Sequence, residues 1–547
     1  MKQLISLFIL LVVTSTSIAQ NEKFSNYSER SKLVIGIDVD QMRYDYLTRF
    51  YDKYGEGGFK RMMNEGFNCK NNHFNYIPTY TGPGHASLYT GTSPKYHGII
   101  ANDWYDKELK RNIYCVEDTA VQSVGTRGDL GQMSPVRMKT TTFGDENRLF
   151  TQMQGKTIGI SIKDRASILS AGHTANAAYW FQGKNEGNWV SSTHYMTELP
   201  KWVTDFNKKH SVESYLKVWN TLYDIATYTE SGSDLNTFEK GFKGKETATF
   251  PYDLATLKND NGGHDILKST PYGNSLTVDF AIEAIKGEQL GKDNITDVLT
   301  ISFSCTDYVG HNFGVNSKEV EDTYLRLDLD LERLFKALDE KVGKNNYTVF
   351  LTADHAAVNV PAYLQSVKIP AGYFDSKGFD KKINSFMETN YGASDLIESI
   401  SNNQIFLNRN KLQELDLDLD DVQEAIVNEI ITYKYIDKAY TATALTSTSF
   451  STGIERLIQN GFNQKRSGDV VYVLDPAVIS DSKTGSTHGS GLEYDTHVPL
   501  LFFGKGIKHG STLQKTEITD IAPTMSALLN IGYPSGNMGK PLEFVFN

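Results

Sequence analysis

Cysteine is scarce: Cys69, Cys115 and Cys305 are the only three in 547 residues, so at most one disulfide could form and a thiol would be left over. That excludes a disulfide-stapled scaffold. Cys305 lies in an apolar run and reads as a buried, inert thiol, while a Cys69–Cys115 pairing stays open. Beyond the N-terminal segment there is no apolar run of about 18 residues, the length a membrane-spanning helix needs. A basic surplus is missing too, since 55 Lys and Arg face 66 Asp and Glu for a formal charge of −11. Partners that bind through a basic face displacing counterions, nucleic acid and anionic membrane, are therefore not expected. Low-complexity tracts are also absent. With 39% hydrophobic residues the chain can bury a sizeable core, and its length calls for one large α/β domain with insertions or two to three smaller units.

What is present begins at the N-terminus. Met1-Lys2-Gln3 leads into the apolar residues 4–13, then a polar stretch, then Ser17-Ile18-Ala19, a small-x-small processing site. These are the three regions of a secretory signal peptide. Residues 1–19 are expected to be removed near Ala19, leaving a periplasmic or secreted chain from 20 to 547. No cysteine stands near the cleavage point to accept a lipid.

Several short apolar runs end in acids. Residues 33–37 lead to Asp38 and Asp40, 298–303 to Asp307, and 347–351 to Asp354-His355. Buried parallel strands deliver polar groups to a site at their carboxyl ends in this way. Between the last two, Val320, Tyr324, Leu327, Leu331, Leu334, Leu338 and Val342 recur at three- and four-residue spacing. That predicts an amphipathic helix over 317–342, capped by Asn316 or Ser317, with Gly343 just past its end. Strand, helix, strand implies a mostly parallel central sheet flanked by helices. Residues 185–290 and 358–464 break the rhythm and read as insertions covering the sheet edge. Residues 470–474 and 497–503 are expected to resume the sheet, and a helix over 520–529 to close it.

Asp307 and His311 stand four apart, and Asp354 and His355 are adjacent. Either pair alone is unremarkable. Together with Asp40 and His488 they make three aspartates and three histidines placed after apolar runs or in Gly-rich loops, a donor set that suits zinc or a similar divalent ion. The segment 78–88 places Thr81 at a helix start, with Pro83 in the first turn, where free backbone N–H groups favour an anion. A threonine hydroxyl is a poor nucleophile until deprotonated, and a metal on its oxygen is one way to achieve that. The same position fits a plain N-cap, and Thr79 is a rival hydroxyl. Lys163 and Arg165 follow the apolar run 157–162, so strand alternation would project both to one side. Two cations there suit a dianionic phosphoryl group, though they also fit a solvated strand end.

Taken together, Val39-Asp40-Gln41-Met42-Arg43, Thr81-Gly82-Pro83-Gly84-His85, Asn102-Asp103-Trp104-Tyr105, Lys163-Asp164-Arg165, Asp307-Tyr308-Val309-Gly310-His311, Ala353-Asp354-His355 and Thr487-His488-Gly489 resemble the alkaline phosphatase superfamily. The ordered set is most similar to the phosphate-irrepressible, phosphomonoesterase-type alkaline phosphatases, over nearly all of the mature chain. The resemblance implies an alkaline-phosphatase-like α/β catalytic domain with two Zn2+ per chain: one on Asp40, Thr81, Asp354 and His355, the other on Asp307, His311 and His488. It implies Thr81 as nucleophile through a phosphothreonine, and Asn102, Lys163 and Arg165 on the nonbridging oxygens of small phosphate monoesters. Oligomeric state is left unspecified. Sulfatases of this fold carry a Cys or Ser before x-Pro-x-Arg, which does not occur here; Cys69 is followed by Lys70-Asn71-Asn72. Nucleotide pyrophosphatase/phosphodiesterases share the metal ligands and the threonine but lack the Lys/Arg pair. A phosphodiesterase is thus the alternative enzyme, and a non-catalytic phosphate- or metal-binding protein the alternative class. His497 is a second late histidine that opens an apolar strand, and His85, beside Thr81, is read as a packing residue.

Overall fold

The computed structural model describes residues 30–184, 186–480 and 483–546; the expected signal peptide and its cleavage point lie outside them. In chain order the strands that matter are β1 Leu33–Val39, β2 Phe67–Cys69, β3 Ser123–Val124, β4 Thr157–Ser161, β5 Ala177–Gln182, β6 Asn188–Ser192, β7 Asp297–Phe303 and β8 Tyr347–Thr352, followed by β9 Ile397–Ser401, β10 Gln404–Leu407, β11 Ile436–Thr441, β12 Val470–Leu474, β13 Leu501–Gly504 and β14 Gly510–Thr512. Ten of them form one sheet in the order β14-β2-β13-β8-β1-β7-β4-β5-β6-β3. Its central run β8-β1-β7-β4-β5 is parallel throughout. Antiparallel pairing enters where β13 meets β8 and where β6 meets β5.

β1, β7 and β8 are buried at every position, which is why they read as continuous apolar runs rather than as alternating ones. Their register sets Val39 against Phe303 and Asp38 against Thr352. The three carboxyl ends therefore leave the sheet at one level, and the acids that follow them arrive at one edge. Six helices frame that edge or back the sheet: α1 Thr81–Thr90, α2 Asp164–Ala171, α3 Pro271–Gly287, α4 Cys305–Phe313, α5 Lys318–Leu338 and α6 Ile521–Leu529. The Ser317 hydroxyl caps α5 by accepting from the Val320 N–H at 3.1 Å, and a π-helical turn, Asp339–Gly343, carries it to the expected glycine.

Three expectations are corrected. β12 does not resume the central sheet. It joins a separate antiparallel sheet, β9-β10-β12-β11, whose core holds Phe379, Ile405, Leu407, Val470 and Tyr472, so the second inserted stretch runs past 464. An apolar, buried strand looks the same in either sheet, and only its long-range partners decide. Within 497–503 the strand begins only at Leu501, and it runs antiparallel to β8. The stretch 185–290 is not all a cover either, since β6 belongs to the central sheet and Leu276, Val278 and Phe280 of α3 to the main core. All three cysteines are free and buried. Among the described residues no helix is long and apolar enough to cross a membrane.

Candidate active site

The carboxyl edge gathers the six Asp and His residues into two groups, Asp40 with Asp354 and His355, and Asp307 with His311 and His488; the donor atoms within each group lie within 4.8 Å of one another. Asp40 follows β1, and Asp354-His355 follow β8. Asp307 and His311 share one face of α4 at i, i+4 spacing, and His488 comes from the loop after β12. Whether these donors suit a cation depends on where each proton sits. His311 Nδ1 lies 2.8 Å from the Ser486 carbonyl, His355 Nδ1 3.0 Å from that of Ala356, and His488 Nδ1 2.7 Å from that of Thr79. A carbonyl only accepts, so all three rings carry hydrogen on Nδ1 and turn Nε2 inward. There His311 Nε2 is 3.1 Å and His488 Nε2 3.7 Å from Asp307 Oδ1, while His355 Nε2 is 3.5 Å from both Asp40 Oδ1 and Asp354 Oδ2.

Burial, the largest influence, holds His488 well below the usual histidine range and His355 down to about 3. Both therefore point bare lone pairs at carboxylate oxygens, and Asp40 Oδ1 and Asp354 Oδ2 are buried without a hydrogen-bond partner. Such an arrangement is repulsive unless a cation sits between the donors. The residues fit two divalent ions.

One protein cation already stands in the gap. Lys163 Nζ is 2.6 Å from both Asp40 Oδ2 and Asp307 Oδ2, joining the two groups, and 3.4 Å from Thr81 Oγ1. Burial opposes its charge, yet Asp307 and Asp40 keep the ammonium protonated. Burial likewise pushes Asp307 up, but His311 and Lys163 outweigh it and hold that carboxyl well below the usual range. Asp40 is raised by burial and by Asp354.

Thr81 is the first residue of α1, and the N-cap position before it is Tyr80. Its Oγ1 is 3.5 Å from His355 Nε2. Asn102 Oδ1 accepts the Gly82 N–H at 2.8 Å, pinning the start of the helix. Lys163 meets the two donor groups, but not by strand alternation. β4 ends at Ser161, Lys163 is the N-cap of α2 and Arg165 lies in its first turn. The Arg165 Nη1 donates to the Tyr114 hydroxyl at 3.1 Å and its buried Nε has no partner. His497 stays apart, stacked on Tyr44 and His73.

Several working residues escape sequence reasoning. Gln41, held at φ 66°, donates its backbone N–H to Asp354 Oδ1 at 3.2 Å and its Nε2–H to Asp307 Oδ1 at 2.6 Å, tying the two groups together. Its one trace in the sequence is Gly310, where a Cβ would sit 1.8 Å from Gln41 Oε1. Thr79 is no free hydroxyl: Oγ1 donates to the Ser490 carbonyl at 2.9 Å and accepts from the Gly489 N–H at 3.1 Å. His85 is more than packing. Its Nδ1 bonds the Thr81 carbonyl at 3.0 Å, and its Nε2 lies 3.0 Å from Ser302 Oγ and 3.2 Å from Asp38 Oδ2.

The family described as type I phosphodiesterase / nucleotide pyrophosphatase matches residues 34–498. A Myroides odoratus protein named calcium-transporting ATPase is 46% identical over 520 residues, 94% of each chain. Alkaline phosphatase PafA of Elizabethkingia meningoseptica is 46% identical over 540 residues, 98% of each chain. The crystal structure of wild-type alkaline phosphatase PafA superposes with a TM-score of 0.92 at 46% identity, covering 95% of this chain and 99% of that one.

Proposed function

The chain belongs to the type I phosphodiesterase / nucleotide pyrophosphatase family, and from its 46% identity to alkaline phosphatase PafA over 98% of each chain we infer an alkaline phosphatase, a hydrolase of small phosphate monoesters that works through a phosphothreonine at Thr81. The observation that carries the finer reading is the pair of three-donor groups at the carboxyl edge of the sheet, with Thr81 Oγ1 between His355 Nε2 and Lys163 Nζ. Asp40, Thr81, Asp354 and His355 would hold one zinc ion, and Asp307, His311 and His488 a second. When bound, such ions supply Lewis acidity, stabilising negative charge on oxygen and easing the deprotonation of a hydroxyl.

The chain's own residues supply the rest. Thr81 Oγ attacks phosphorus at the N-terminus of α1, where backbone N–H groups favour an anion. The ester P–O bond breaks and the alcohol leaves. Water then attacks the phosphothreonine, releasing inorganic phosphate and restoring the hydroxyl. Asn102 spends its oxygen on Gly82, which leaves its NH2 as the donor toward a phosphoryl oxygen. Lys163 and the unpartnered Arg165 Nε serve the other nonbridging oxygens, so three donors meet the three such oxygens of a monoester dianion. A diester offers two and carries less charge. Export to the periplasm or beyond completes the proposal and rests on residues 1–19.

The test compares an aryl phosphate monoester with its methyl diester. Wild type should prefer the monoester, and Lys163→Ala and Arg165→Ala should each lower monoester kcat/KM by about 10²–10³ while sparing much of the diester rate. Equal or better diester turnover by wild type would overturn the monoester assignment.

A further inference from the structure

The late histidine that the active site leaves unused has a setting of its own. His497 pairs with His73 across an isolated antiparallel bridge, and their rings stack at 4.6 Å and 16°. One donor atom from each, with a carboxylate oxygen of Glu493, lies within 4.8 Å of the other two. We propose that His73, Glu493 and His497 form a third metal site, separate from the active centre, that takes zinc in a structural role.

The protons argue for it. His73 Nε2 is 2.7 Å from Asn71 Oδ1, and that amide is oriented by its own Nδ2, which donates to the Leu513 carbonyl. His497 Nε2 is 3.0 Å from the Lys70 carbonyl. Both rings therefore donate from Nε2 to a fixed oxygen and keep Nδ1 as an acceptor, which on His73 meets the Thr496 hydroxyl at 3.4 Å; this mirrors the usual outer support of a metal-bound imidazole.

Tetrahedral zinc with bonds of about 2.0–2.1 Å sets its donors about 3.4 Å apart. The donors, within 4.8 Å of one another, would close to that spacing through a turn of the exposed Glu493 and a swing of one ring. A surface cleft lined by Tyr44, Asp45, Glu493 and His497 gives an ion access.

The site has a consequence for the active centre. Asp495, inside the same turn, accepts from the Ser490 N–H at 2.8 Å and its hydroxyl at 2.6 Å, two residues from His488. An ion on Glu493 and His497 would brace that loop from behind without touching substrate.

Zinc-replete enzyme, desalted in chelator-free buffer, is analysed for metal per chain in wild type, in His73→Ala/His497→Ala and in Glu493→Ala. Wild type should hold one more zinc than the double variant, whatever the active centre holds, because only the difference is read. Glu493→Ala, altered at an exposed position and thus keeping the fold, should lose that ion more readily on desalting. The variants should melt at lower temperature with kcat within about twofold of wild type. Equal zinc in all three proteins would overturn the site.

Discussion

Thr81 and Thr79 stand two residues apart, and nothing in their sequence neighbourhood decides which hydroxyl reacts. The division comes from where each oxygen's bonds go. Thr79 Oγ1 spends both its donor and an acceptor pair on the loop that carries His488, and its carbonyl fixes the His488 tautomer. Thr81 Oγ1 is left facing His355 and Lys163. Thr79→Val should therefore weaken zinc binding and monoester turnover by about 10–100-fold, the usual cost of losing an outer support, yet still form a phosphoprotein. A zinc titration beside acid-quenched labelling reads both. Loss of the phosphoprotein with zinc intact would reverse the two roles. At this scale the acids and histidines were legible because they fall after apolar runs or, as with His488, in a Gly-rich loop. Gln41 was not, since an amide bonding two carboxylates leaves no pattern beyond the glycine that makes room for it.

At the level of elements, strands ending in acids and the three- and four-residue rhythm of α5 were readable from local sequence. The placement of β12 and the origin of the Lys163 and Arg165 positions were not, because one depends on distant partners and the other on where β4 stops. The junction between α5 and the segment before α3 carries its own pH dependence. Glu319, in the first turn of α5, accepts from the Tyr252 hydroxyl at 2.5 Å, and one oxygen each of Glu319 and Glu239 is buried without a partner. Burial raises Glu239 to about 9, aided by Glu319, and Glu319 to about 8. Both pKa values are above the unfolded value of about 4.5, so the folded chain binds protons that the unfolded chain has released. Stability is then greatest below pH 4.5 for these groups and declines as pH rises toward 8–9. Melting temperature, followed from pH 6 to 9 at saturating zinc, should fall less steeply in Glu239→Gln than in wild type. Parallel slopes would contradict the assignment.

For the whole molecule, the sheet register brings three strand ends to one level, and in a chain of charge −11 a dianion there would depend on Lys163 and on cations held by the carboxylates. Lys163 joins the two donor groups from the N-cap of a helix on the fourth strand of the sheet, so the site exists only when the whole α/β frame is assembled. The resemblance seen in the ordered motifs extends to the full fold, at a TM-score of 0.92 to PafA. The smaller sheet β9–β12 was the part local sequence could not assign, since its strands find their partners up to about 70 residues away. The central claim, that this frame exists to make Thr81 a nucleophile toward phosphate monoesters, is tested by quenching zinc-loaded enzyme in acid during turnover of an aryl monoester and mapping phosphate by peptide mass spectrometry. Phosphate on Thr81 in wild type, and on no residue in Thr81→Ala along with loss of turnover, is the predicted result. Undiminished turnover in Thr81→Ala, or phosphate on Thr79 instead, would contradict it.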